Sequence, residues 1–294
     1  MDKLIRGLIC EGRARVFIAN TKELVETARV KHDLWPTATA ALGRTLSVTC
    51  VLSAMLKSDE EKITVEINGN GDIGTILTDA YPNGRVRGFV SNPHVLMINE
   101  KTNKLDVGKA VGNQGYLRVI KDISLKDDFT GTVELQTGEI GEDFAYYFTL
   151  SEQVPTAISV GVLVNEDYSV KSSGILVIQM LPDASEADIV YCENIINGLK
   201  PISTLFNEVD SPRQLLDEIF GEDIEILDQQ ELEFYCPCNR QKMINALLTV
   251  DDKDLKEMIE IDKGCEIVCN YCNKKYKFTD KVLEKILDLK KKKN

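Results

Sequence analysis

The chain has 294 residues, 43% of them hydrophobic and 6% aromatic, with a formal charge of −12 and a pI near 4.8. That length fills one large core plus a satellite, or two ordinary domains, and the apolar fraction excludes a disordered chain. The acidity argues against a general nucleic-acid binder, which needs clustered Lys and Arg against phosphate.

The opening "LIRGLICEGRARVFIAN" alternates apolar and polar residues and predicts a hairpin or pair of strands. It shows no apolar stretch of signal-peptide length before charge returns at Glu11, Arg13 and Arg15. The expected compartment is therefore the cytoplasm, where clustered cysteines bind metal or act in redox chemistry more often than they form disulfide frameworks. Asn20 or Thr21 is placed to cap a short helix through "KELVETARVKH", and Pro36 stands near the start of a longer one ending around Lys57. That longer stretch is the most apolar in the chain, but Arg44 and its Thr and Ser residues mark a buried core helix, not a membrane span.

From Glu61 the period becomes two, with Ile63, Val65 and Ile67 on one side and Thr64 and Glu66 on the other. "NGNG" at 68–71 and "YPNG" at 81–84 are turn signals. Further strands are predicted at "GYLRVIKDIS", "GTVELQTGEI", "DFAYYFTLSEQ", "AISVGVLVN" and "GILVIQML". Residues 1–180 thus read as one α+β domain, a mainly antiparallel sheet with packed helices. "GNGDIG" at 69–74 fits the dinucleotide fingerprint, but the turn at Pro82 leaves no room for the crossover helix, so it reads as a hairpin.

Residues 181–233 change character. They carry fourteen Asp and Glu against Lys200 and Arg213, a net of −12 that equals the charge of the whole chain. Ile189, Cys192, Ile196 and Leu199 share one helical face, with Gly198 near its C-cap. A second helix runs from Ser211 as N-cap and Pro212 at N1 through Leu215, Leu216, Ile219 and Phe220 to Gly221. Such short, self-repelling amphipathic helices must lean on a neighbour, and this stretch is expected to be an acidic helical linker.

Residues 234–294 form a small end that holds five of the eight cysteines. Its closing helix, "KFTDKVLEKILDLKKKK", is expected to turn Val282, Ile286 and Leu289 inward, and the terminal lysines suit a helix C-terminus. Cys236 and Cys238 form C-x-C, and Cys269 and Cys272 form C-x-x-C thirty residues on. Two such pairs supply four thiolates to a tetrahedral Zn²⁺, one per chain, with the amides and charges of Asn273, Lys274 and Lys275 to temper them. Cys265 competes as a ligand from four residues before Cys269, but C-x-x-C makes the tighter chelate. A fully thiolate site leaves no open coordination position, so it is structural or redox-sensing and not hydrolytic. Cys10, Cys50 and Cys192 lie in apolar patterns as small hydrophobes.

The cysteine arrangement, with "ATAALGR" at 38–44, "NPHV" at 92–95, "LSEQVPTAISVGVLV" at 150–164 and "ILVIQMLPDA" at 175–184, resembles the redox-regulated chaperones of the thirty-three-kilodalton heat-shock family over essentially the full chain. The resemblance implies an ATP-independent holdase. Reduced Cys236, Cys238, Cys269 and Cys272 would bind zinc. Oxidation would give the disulfides Cys236–Cys238 and Cys269–Cys272, release zinc, unfold the linker and expose apolar surface to unfolding client proteins. The implied partners are those clients, a second copy in an oxidised homodimer, and ATP-dependent chaperones downstream. Cys265 departs from the family pattern and brings a fifth thiol that can exchange.

Two rivals remain in view. A zinc module for nucleic acid would use Arg240, Lys242, Lys274, Lys275 and the Lys290–Lys293 run, against the neighbouring acidic segment and without an aromatic stacking pattern. A thiol–disulfide oxidoreductase would need Cys269 and Cys272 at a helix N-terminus after a strand. His32 and His94 have no legible nucleophile or carboxylate partner, so no enzymatic activity is expected.

Overall fold

The computed structural model describes residues 2–123, 127–209 and 211–291. The chain divides into two compact units, Met1–Tyr235 and Cys236–Asn294. Helices and sheets mix throughout, as the α+β reading requires. Among the described residues no helix is long and apolar enough to cross a membrane.

The first unit opens with the predicted hairpin of β1 (Lys3–Ile9) and β2 (Ala14–Asn20), then α1 (Lys22–His32) and α2 (Pro36–Ser53). The strands β3 (Lys62–Asn68), β4 (Thr75–Tyr81) and β5 (Arg85–Val90) follow, then the two-residue β6 (Ile98–Asn99) and β7 (Lys104–Leu105), and α3 (Val107–Val111). Next come β8 (Tyr116–Asp122), β9 (Phe129–Glu134), α4 (Gly141–Leu150), β10 (Thr156–Val164) and β11 (Val170–Met180). The acidic segment supplies α5 (Glu186–Gly198), α6 (Ile202–Glu208), α7 (Pro212–Phe220) and a strand, β12 (Glu225–Glu231), before β13 (Glu233–Phe234).

These strands form two principal sheets, not one. The first has the order β10-β11-β2-β1-β12 and the second β13-β5-β4-β3-β8-β9, antiparallel except where β13 runs parallel to β5. The division follows from α2, which packs against strands of both sheets. Every residue of α2 except Arg44 is buried. Some of its hydroxyls bond the helix's own backbone, as in Thr45 Oγ1 to Ala41 O (2.9 Å) and Ser47 Oγ to Gly43 O (2.8 Å), and others reach out, as in Thr37 Oγ1 to Met97 O (3.0 Å). A helix apolar all round needs cover on opposite sides, and two sheets supply it.

The other face of the first sheet, with Ile5, Ile9, Val16, Ile18, Leu176 and Ile178, is covered by Ile202, Phe206, Leu215, Leu216 and Phe220 of α6 and α7 and by Cys192 of α5. The expected capping holds for α7, where Ser211 accepts from Gln214 N (3.3 Å) and Gly221 turns left-handed at φ 59°. The "YPNG" turn joins β4 to β5, with Asn83 and Gly84 at φ 62° and 70°. A Cβ on Gly84 would stand 2.0 Å from Glu231 O, where the end of β12 passes. In "GNGDIG" the glycines admit the backbone of the loop after α3, with Gly71 N donating to Val111 O at 3.0 Å. No helix follows, in accord with the hairpin reading.

Several expectations need correction. "DFAYYFTLSEQ" is not a strand but lies mostly in α4: Asp143 folds back to accept from Gln136 N (2.7 Å), Thr137 N (3.1 Å) and Ile140 N (3.3 Å). With that anchor, Phe144, Tyr147 and Phe148 fall on one buried face. Helix α2 stops at Ser53, and Thr21 makes no side-chain cap on α1. Asn20 Oδ1 accepts from Lys22 N (3.1 Å), and the main cap is Asp2, accepting from Leu24 N (2.7 Å) and Glu23 N (3.2 Å).

Asp2 is 3% exposed, and burial pushes its carboxyl up to about 6 despite those two amide donors. The folded chain therefore binds this proton more tightly than the unfolded chain. Its contribution is present at low pH and is lost as pH rises through about 6. The loss is roughly 3 kcal/mol at most. Asp2→Asn is expected to flatten the fall in urea stability between pH 4 and 6.5, and an unchanged slope would assign that fall to other groups.

Candidate metal centre

The second unit comprises α8 (Arg240–Leu247), α9 (Asp252–Glu260), the hairpin of β14 (Gly264–Val268) and β15 (Lys275–Thr279), and α10 (Asp280–Lys291). Its core is small: Leu247, Leu255, Tyr276, Phe278, Leu283, Ile286 and Leu287, with Cys269 buried among them. Helix α10 turns Leu283 and Leu287 inward beside Ile286. Val282 is only partly buried and Leu289 is 52% exposed, so the inward face lies one position away from the expected one. Lys290 Nζ meets Asp252 at 2.8 Å, and Lys292 and Lys293 lie outside the described residues.

Two short turns deliver the cysteines. After Cys238, Asn239 caps α8 by accepting from Lys242 N (2.9 Å). Between β14 and β15, Cys269 N donates to Lys274 O (3.0 Å), Cys272 N and Asn273 N donate to Cys269 O (3.2 and 2.8 Å), and Asn273 is left-handed at φ 56°. The amides of Tyr271 and Lys274 donate to the sulfurs of Cys269 and Cys272.

The four sulfurs of Cys236, Cys238, Cys269 and Cys272 lie within 4.8 Å of one another. Cys236 Sγ is 3.7 Å from Cys269 Sγ, and Cys238 Sγ is 3.4 Å from Cys272 Sγ. A tetrahedral zinc with Zn–S near 2.3 Å would hold its sulfurs roughly 3.8 Å apart, so the donor set fits that ion. The titration behaviour agrees. Burial works against the Cys238 thiolate, but the Tyr276 hydroxyl (3.2 Å) and the neighbouring sulfurs bring that thiol down to about 7. Burial pushes Cys269 and Cys272 up. The cluster thus accepts a first negative charge readily and needs a cation to accept the rest.

The structure therefore brings together the four sequence-selected cysteines and leaves Cys265 out. Cys265 sits in β14 opposite Phe278, and burial raises its thiol. No short-range signal marks Tyr276, whose hydroxyl reaches Cys238 across the unit. Among the described residues this is the one group of three or more potential ligands within such reach. Of the basic residues nearby, Lys275 and Lys277 both pair with Glu266, and Arg240 lies over the Phe278 ring. Cys10, Cys50 and Cys192 are buried in the first unit. His94 Nε2 meets Asp33 at 3.1 Å and its ring tilts against Trp35, while His32 abuts Phe234.

Residues 2–279 match the family described as "Hsp33 protein". The chain is similar to the "33 kDa chaperonin" of Bacillus velezensis and that of Bacillus subtilis, each 43% identical over 288 residues, covering 98% of this chain and 99% of the relative. It is also similar to the crystal structure of the 33 kDa chaperonin (heat shock protein 33 homolog) of Thermotoga maritima. That likeness has a TM-score of 0.92 and 37% identity over 99% of each chain.

The centre predicts that the reduced chain takes up one zinc. A chelator is expected to speed amide exchange across 236–291 while leaving 2–235 protected, and Cys238→Ser is expected to lower the zinc affinity at least tenfold. Uniform protection after chelation would show that the small core stands without the metal.

Proposed function

The chain belongs to the Hsp33 family, and from that premise we propose that it is a redox-regulated, ATP-independent holdase chaperone in which Cys236, Cys238, Cys269 and Cys272 bind Zn²⁺ in the reduced, inactive state. The observation that carries this reading is the convergence of four sulfurs on a unit with little other core. Zinc, when bound, supplies a charge-balancing cross-link among these thiolates. In peptides such a site contributes about 10–16 kcal/mol. A whole domain is stable by only about 5–15 kcal/mol.

Two equivalents of a peroxide or of hypochlorous acid each take two electrons from a pair of thiols. The products are the disulfides Cys236–Cys238 and Cys269–Cys272, joining sulfurs that are neighbours in sequence. All four sulfurs are then lost as thiolate ligands, the ion leaves, and the unit loses the cross-link its core lacks the size to replace. Residues 181–233 are the metastable element of this scheme, an acidic linker between the core domain of 1–180 and the redox domain of 234–294. Of its fourteen acidic side chains Asp188, Glu208, Asp217 and Asp228 have basic partners, and the remaining excess of negative charge opposes the apolar contacts that hold it to the sheet. Its release uncovers the face of Ile5, Val16, Ile18, Leu176 and Ile178 to unfolding clients.

The active form is taken to associate as a homodimer and to pass clients to ATP-dependent chaperones in the cytoplasm. Neither an enzymatic activity nor a nucleic-acid partner is part of this reading.

The first test follows zinc release and protection of a denaturing client in one sample as peroxide is added at mildly raised temperature. About one zinc per chain should leave as protection appears; zinc that stays bound, or leaves without protection, would overturn the switch. A second test places a charge under the acidic segment. Leu215 is fully packed against the sheet, and truncating such a leucine costs about 2–5 kcal/mol before any charge is buried. Leu215→Glu should therefore protect clients without oxidant, and retained oxidant dependence would exclude the segment as the cover.

A further inference from the structure

We propose that Cys10 and Cys192 form a second disulfide site, separate from the four-cysteine centre, that fastens the acidic helical segment to the sheet beneath it. Cys10 opens the turn between β1 and β2 and is 7% exposed; Cys192 lies on the inner face of α5 and is 1% exposed. Both belong to one apolar cluster, and their side chains are neighbours within it. The role of small hydrophobe does not require two thiols, from positions 182 residues apart, to face one another.

The surroundings hold the two in place. Arg13, in the same turn as Cys10, grips Asp188 in α5 through Nε (2.9 Å) and Nη2 (3.1 Å). Arg13 O accepts from Leu181 N (2.9 Å), and Cys10 N donates to Asp223 Oδ2 (3.4 Å). Arg13, with Ser185, holds the Asp188 carboxyl well below the usual range, so the grip persists into acid. Sequence-distant segments are thereby fixed on either side of the thiol pair.

The closed pair is chemically quiet. Burial, together with the neighbouring Cys10, Asp188 and Asp223, pushes the Cys192 thiol up to about 12, and burial raises Cys10 as well. Thiolate is the reactive species, so both sulfurs resist oxidant while α5 is seated. Lifting α5 exposes them. One thiol then reduces a peroxide to water and becomes a sulfenic acid. Before α5 reseats, the partner, still open to water and able to ionise, attacks that sulfur as its thiolate, the disulfide forms and a second water leaves. Two electrons pass from the two thiols to one peroxide. The bond closes the cover, opposing the release on which the holdase reading rests.

The test takes the full, zinc-loaded chain through a peroxide challenge at raised temperature. It is then cooled, trapped by acid alkylation and digested with trypsin without reductant. Peptide Gly7–Arg13 joined to Ser172–Arg213 is expected in the wild type and absent from Cys192→Ala. After zinc and a mild reductant have restored the four-cysteine centre, a second challenge should give at least twofold less client protection from the wild type than from Cys192→Ala, with equal zinc loss. If Cys10 and Cys192 are recovered only as thiols or as separately oxidised residues, the disulfide site is overturned. Joined peptides with equal second-challenge protection would overturn the fastening. Failure of both proteins to protect on the first challenge would instead refute the holdase reading, leaving the peptide result to decide the site by itself.

Discussion

A sheet with two apolar faces must have both covered, and the first sheet of this protein meets that requirement by unequal means. One face packs on α2, a helix buried all round and shared with the second sheet. The other packs under α5, α6 and α7, short helices from a stretch whose net charge equals that of the entire chain. Apolar burial at about 25 cal/mol per Å² favours the cover, while like charges spread over its outer surface oppose it.

The small unit faces the opposite problem. Its helices and hairpin bring few large side chains inward, and the four cysteines sit where a larger domain would place more core. Four converging sulfurs thus occupy the space that packing side chains would otherwise fill. Tyr276 belongs to both schemes at once, since its ring lies in the apolar cluster and its hydroxyl bonds Cys238. A change at that residue would disturb the core and the thiol together.

What could be read from the residues was whatever is encoded over short spans. The opening hairpin, the Asn83–Gly84 turn, the Ser211–Pro212 start of α7 and the two cysteine pairs each carry their signal within a few positions. The misreadings have long-range or competing causes. In α4 the aromatic run favours a strand, and Asp143 decides for helix by bonding amides of the preceding loop. The capping of α1 by Asp2 joins residues some twenty apart. The inner face of α10 was displaced because Val282, Leu283, Ile286, Leu287 and Leu289 offer two overlapping apolar stripes, and packing against α9 and β15 selects Leu283, Ile286 and Leu287. No periodicity announces that Cys10 meets Cys192, because that contact exists only through the fold.

The pairing of β1 with β12 has a consequence for how the molecule is made. Lys3 to Leu8 lie opposite Glu231 to Glu225, and Arg6 pairs with Asp228, so the outer partner of the first strand is among the last parts of the large unit to be synthesised. At translation rates of about 5–20 residues per second, β1 waits roughly ten to forty seconds with one row of backbone donors and acceptors unpaired. An open strand edge of that kind pairs with whatever strand reaches it first. Nascent chains crowded on one messenger would thus be exposed to each other, and slowing elongation would lengthen the interval.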